Sequence, residues 1–97
     1  MEKNSLNVEF KYLIGKTYYY FDKKTQTVGE FTVDRILILV KGENEYRISY
    51  KVKTTPHSSN FADNSIDSEY ENPDILLSDS LQDLFKKMND FFKYKNL

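Results

Sequence analysis

Residues 45–53 alternate without a break: Tyr46, Ile48, Tyr50 and Val52 are apolar or aromatic, and Arg47, Ser49, Lys51 and Lys53 between them are polar. Successive side chains of an extended chain point to opposite faces, so this is a strand with one face buried and one wet. The preceding residues extend as well, but their parity changes. Phe31 and Val33 share one face, whereas Ile36 and Ile38 fall on the other, with the Asp34-Arg35 pair between them. A bulge or sharp bend near Asp34 restores a single buried face, and bends of this kind close small barrels. Lys41-Gly42-Glu43-Asn44 supplies the connection, with Gly42 expected at positive φ. Residues 26–53 are therefore predicted to form a long two-stranded ribbon that the rest of the chain serves.

The flanking segments read as shorter elements. Leu6, Val8, Phe10 and Tyr12 alternate with polar residues and predict a first strand or an extended arm, ended by Gly15. Tyr18, Tyr19, Tyr20 and Phe21 favour a strand. Rings on both of its faces imply that it is covered on two sides or leaves one face for a partner. Asp22-Lys23-Lys24-Thr25 suits a tight turn. Residues 54–74 dissolve into Ser, Asn, Asp and Glu between Pro56 and Pro73, predicting a long, mobile acidic loop that is either functional or disordered. Ile75-Leu76-Leu77 is a short closing strand. Ser80 with Asp83 resembles a capping box. Behind it, Leu81, Leu84, Phe85, Met88, Phe91 and Phe92 make one helical stripe, which must dock on the sheet.

A chain of 97 residues makes one domain, residues 1–97, large enough to fold without a metal or disulfide staple. Eight Tyr and seven Phe supply the core volume, and the absence of cysteine removes thiolate chemistry. The expected fold is α+β: a strongly bent antiparallel sheet of four or five strands, partly rolled into an open barrel, with one C-terminal helix. Met1 to Asn7 has no apolar core of a secretory signal, and the run Ile36 to Val40 is too short to cross a bilayer. The expectation is a cytoplasmic protein without membrane contact.

Net charge is −1, but it is segregated: ten basic against seven acidic residues through Asn60, then seven acids and no base from Phe61 to Asp83. Four chemistries can be weighed on this. The single His57 sits in the polar loop beside Ser58, where nothing fixes an orienting group or an oxyanion site, so no catalytic residue is assigned and no enzyme is expected. Three glycines cannot write a phosphate-binding loop, and no cofactor is expected. Asp63, Ser65, Asp67, Glu69 and Asp74 imitate calcium-loop spacing. The sixth position is Ser68 instead of Gly, however, and no bidentate Glu closes the loop, so no metal is assigned. Arg47, Lys51 and Lys53 with Tyr18 or Tyr20 would suit single-stranded nucleic acid, the alternative reading, although the chain is slightly acidic overall. The leading expectation is a protein partner met by Asp67, Glu69, Tyr70, Glu71 and Asp74, an acidic surface anchored by one ring.

Gly15-Lys16-Thr17-Tyr18-Tyr19, Val28 through Ile36, Tyr46-Arg47-Ile48-Ser49-Tyr50, and Leu76-Leu77-Ser78 leading to Leu81 and Leu84 resemble small SH3-like barrel proteins of phages, plasmids and low-GC bacteria. The resemblance spans about residues 13–90. Lys16 stands where Asp is usual, and residues 54–73 form a longer and more acidic loop. It implies a barrel and a mobile-element origin, in which small acidic proteins inhibit host defence systems. No site residue transfers from it.

Overall fold

A computed structural model of the chain describes residues 8–95, the last two by backbone alone. Five strands, β1 (Thr17–Asp22), β2 (Thr27–Gly42), β3 (Glu45–Thr55), β4 (Ser65–Asp67) and β5 (Ile75–Ser78), precede the helix α1 (Leu81–Lys95). They form one antiparallel sheet in the order β4-β3-β2-β1-β5, curled into a half-barrel. This is the α+β architecture that the sequence predicts.

The ribbon shifts register twice, once between Val40 and Gly42 near its tip and once where the parity changes. Val33 lies opposite Val52 and Arg35 opposite Lys51, which leaves Asp34 as the extra residue. Ile36 then faces Tyr50 and Ile38 faces Ile48, so both halves of β2 contribute to one face. At the tip, positive φ belongs to Asn44 (61°) and not to Gly42. Asparagine tolerates that region because its short side chain bonds locally.

On the concave face Tyr12, Tyr18, Tyr20, Phe31, Tyr50 and Phe61 form a buried cluster. Tyr12 meets Tyr18 and Tyr50 edge to face at centroid distances of 4.9 and 5.2 Å, the arrangement that ring quadrupoles favour. Their hydroxyls fasten irregular backbone to the sheet. Tyr18 Oη accepts from the Leu13 N–H at 2.7 Å, Tyr50 Oη accepts from the Lys11 N–H at 2.9 Å, and Tyr20 Oη donates to the Pro56 carbonyl. Phenylalanine could fill this space but not make these three part-buried bonds to Lys11, Leu13 and Pro56. Residues 8–14 are thus an arm and not a strand, touching the sheet ladder through one bridge from Ile14 to Val33. The predicted start at Leu6 lies outside the described residues.

The opposite face of β1 and β5 takes the helix. Phe21 is buried there, its ring 5.8 and 5.7 Å from those of Phe91 and Phe92, and Leu84 is fully buried. With only Asp79 and Ser80 between β5 and α1, the chain cannot carry the helix round to the open side. β1 is therefore covered on both faces. The helical stripe is only partly used: Met88, Phe91 and Phe92 are half-buried, and Leu81 and Phe85 are exposed. Its cap departs from a simple box. Ser80 Oγ accepts from the Asp83 N–H at 3.1 Å, but Asp83 is bonded by Ser78 Oγ, which itself accepts from the Ser80 N–H. Serine 78 relays the contact that the box would make directly.

Residues 54–74 are built into the fold, contrary to the mobile loop expected. Asp22 organises them: Oδ2 accepts from Ser58 Oγ at 3.0 Å and Asn60 Nδ2 at 2.8 Å, and Oδ1 accepts from the Lys24 and Thr25 N–H groups. Phe61 is thereby driven into the core against Tyr20 and Phe31. A 3-10 turn (Ala62–Asn64) leads into β4, which lines the edge of β3.

Candidate functional site

Because α1 packs on the back, the concave face stays open as a trough of about 940 Å³ bounded by the arm, β3, β4 and residues 68–72. Tyr12 and Tyr50 form its buried floor, flanked by half-buried Tyr46, Ile66 and Leu77. Burial, the neighbouring Tyr50 and Tyr18, and the charges of Glu71 and Asp79 push the Tyr12 hydroxyl up to about 12. It is therefore protonated at neutral pH with a wide margin, and brings no charge to the floor. At the rim Tyr70 is 65% exposed beside exposed Glu71.

The acids proposed for docking do not form a free strip. Asp67 accepts from Arg47 Nε at 2.8 Å and also from Nη2. Its Oδ1 caps the Glu69 N–H at 2.9 Å. The Arg47 bonds hold the Asp67 carboxyl below its usual range, and Asp67 raises Arg47 in return. Glu69 pairs with Lys41 at 3.1 Å and Asp74 with Lys24 at 3.3 Å. Of the five predicted residues, Tyr70 and Glu71 remain available, and Glu71 has no ion pair among the described residues. Of the residues with calcium-like spacing, Asp67, Glu69 and Asp74 each turn to a different cationic side chain. No cluster of three potential metal ligands occurs among the described residues.

The nucleic-acid set is not assembled either. Tyr18 and Tyr20 are buried, so neither ring can stack on a base. Arg47 is held by Asp67, Lys51 Nζ bonds Ser65 Oγ at 2.8 Å, and Lys53 lies 4.0 Å from Asp34. The charge segregation in the sequence is partly internal pairing: β4 on the edge of β3 brings Asp67 to Arg47, and Glu69 and Asp74 turn to Lys41 and Lys24. His57 is exposed, while Ser58 Oγ is spent on Asp22, so the two do not form a pair.

Sequence reasoning missed one surface. The run from Ile36 to Val40 has the apolarity of core, yet Leu37, Ile38, Leu39 and Val40 are all exposed on the part of the ribbon that outruns β1. Its only sequence signal is that both parities are apolar at once, unlike the alternating β3.

Comparison with family models, with characterised proteins and with solved structures finds no match. Function is therefore read from the trough and its rim.

Proposed function

We propose that this protein is a non-enzymatic protein-binding module whose concave trough receives an apolar, basic segment of its partner. The exposure of Tyr70 at the rim carries this reading. A large ring held in water beside an unpaired carboxylate is the composition of an interface anchor, and half-buried Tyr46, Ile66 and Leu77 line the trough below it. Outside the Asp67–Arg47 and Glu69–Lys41 pairs, Glu9, Asp63 and Glu71 face Lys11 and Lys51 around the trough, a slight acidic excess that favours a cationic partner. With the mobile-element character implied by the sequence resemblance, that partner is a nucleic-acid-handling or defence protein of a host, inhibited when its basic surface is occupied.

The test compares the chain with Tyr70→Ala and Glu71→Lys variants as bait in host lysate. A partner retained by the parent and lost by both variants, at unchanged melting temperature, supports the reading. Equal capture by all three, or no specific capture by the parent, removes it.

A further inference from the structure

From Thr27 to Thr32 the outer edge of β2 pairs with β1, and Val33 is bridged by Ile14. Beyond Val33, β3 occupies one edge of β2 and nothing among the described residues pairs with the other. Such an edge offers a row of N–H and C=O groups, which proteins ordinarily blunt with Lys, Pro or a covering segment. Residues 36–40 are Ile-Leu-Ile-Leu-Val, with none of these, and shifts of register bound them at Asp34 and at Lys41. Both faces are apolar. Ile36, Ile38 and Val40 stand opposite Tyr50, Ile48 and Tyr46, and Leu37 and Leu39 stand opposite Ser49 and Arg47. Leu39 and Val40 are each 60% exposed. β4 adds a third strand only as far as Leu37, beside Ser49, so from Ile38 to Val40 the ribbon is two strands wide, which is marginal in water without further strands.

We infer that this edge pairs with the same edge of a second copy of the chain, antiparallel about a two-fold axis at Leu39. The strand that completes it must be unguarded and apolar on both faces, and this chain supplies one that matches. A two-fold interface is self-complementary, and side chains directly opposite in a sheet share a face. Centring on Leu39 sets Ile38 against the second copy's Val40 and Leu37 against the stem of its Lys41. Past Val40 the register shifts at Lys41 and β2 ends at Gly42, so the exposed Glu43 sits in the tip, on the side of the second copy's Arg35. Both charges are exposed and neither has an ion pair among the described residues, so the symmetric dimer gains two complementary contacts. The tip of the second copy then ends before Val33, clear of Ile14. Centring on Ile38 instead sets Arg35 against Lys41 and runs the tip into Ile14. The contact is shorter than a standard interface of about 800 Å² per partner, so association is weak, roughly micromolar.

Sedimentation equilibrium on the full chain over roughly 1–200 μM brackets such an affinity. The expected result is a monomer–dimer equilibrium. Leu39→Lys sets two ammonium groups across the axis and yields a monomer with an unchanged far-UV spectrum; if it does not fold, Leu39→Thr is read in its place. Arg35→Glu weakens the dimer about tenfold, and the double swap Arg35→Glu with Glu43→Arg restores it. A parent chain that stays monomeric throughout, or a dimer indifferent to the Leu39 change, overturns the inference. A double swap without recovery overturns the Leu39-centred register.

Discussion

Tyr20 lies across Gly29, its cross-strand partner, so closely that a Cβ on Gly29 would stand 2.5 Å from Cζ and 2.6 Å from Oη of the ring. The ring is itself pinned by its bond to Pro56 and its contact with Phe61, and it cannot swing aside. Glycine here is a matter of space: the strand surrenders a side chain so that the aromatic cluster can sit flat on the sheet.

Gly29→Ala is therefore expected to destabilise the fold by about 1–3 kcal/mol through overpacking. Gly42→Ala, where a new Cβ meets nothing within 4 Å, should stay within about 0.5 kcal/mol of the parent. Urea midpoints at constant m-value measure both.

Asp22 predicts an acid-sensitive stability. Burial pushes its carboxyl up, but the bonds from Asn60, the Thr25 N–H, Ser58 and the Lys24 N–H together outweigh it, so the folded value lies below the unfolded one. A depressed carboxyl contributes stability that is complete above the unfolded pKa, near 4, and fades as pH falls through the folded value. Urea midpoints should drop on acidification below about pH 4, and Asp22→Asn should flatten that slope. At neutral pH the same change should be destabilising by about 1–3 kcal/mol, because Ser58 and the turn amides lose a charged acceptor.

The exposure of Phe85 and the burial of Phe61 invert what their sequence settings suggest. Phe61→Ala should be destabilising by about 3–5 kcal/mol, the range for a large ring removed from a core. Phe85→Ala, on a side chain 48% exposed, should change stability by no more than about 0.5 kcal/mol. Thermal or denaturant unfolding of the pair decides it.

If β4 screens the basic face, removing its charges should uncover that face. Asp67→Asn with Glu69→Gln frees Arg47 and Lys41, and the variant should bind single-stranded DNA at low salt more tightly than the parent. Its affinity should fall steeply as salt rises, as phosphate contacts require. Equal weak binding by both proteins would mean that the pairs screen nothing.

Much of this architecture was legible in the order of residues. The alternation of 45–53 predicts β3, the parity change at Asp34 predicts the bulge, and Ser80 and Asp83 predict the start of α1. Each is a local rule, set by backbone geometry within a few residues. The site was less so. The acids at Asp67, Glu69 and Asp74 look free in sequence, yet they are paired with Arg47, Lys41 and Lys24, residues 20, 28 and 50 positions away. No local pattern records such a meeting.

The sequence by itself determined which segments extend, where they bend and where the helix begins, because hydrophobic periodicity and capping act between near neighbours. Only the tertiary structure decided which apolar residues are covered. The two residues between β5 and α1 hold the helix to the back of the sheet, Asp22 gathers the acidic segment, and β1 ends before the ribbon does. The trough, Tyr70 and the Leu37–Val40 edge are what those three long-range constraints leave exposed.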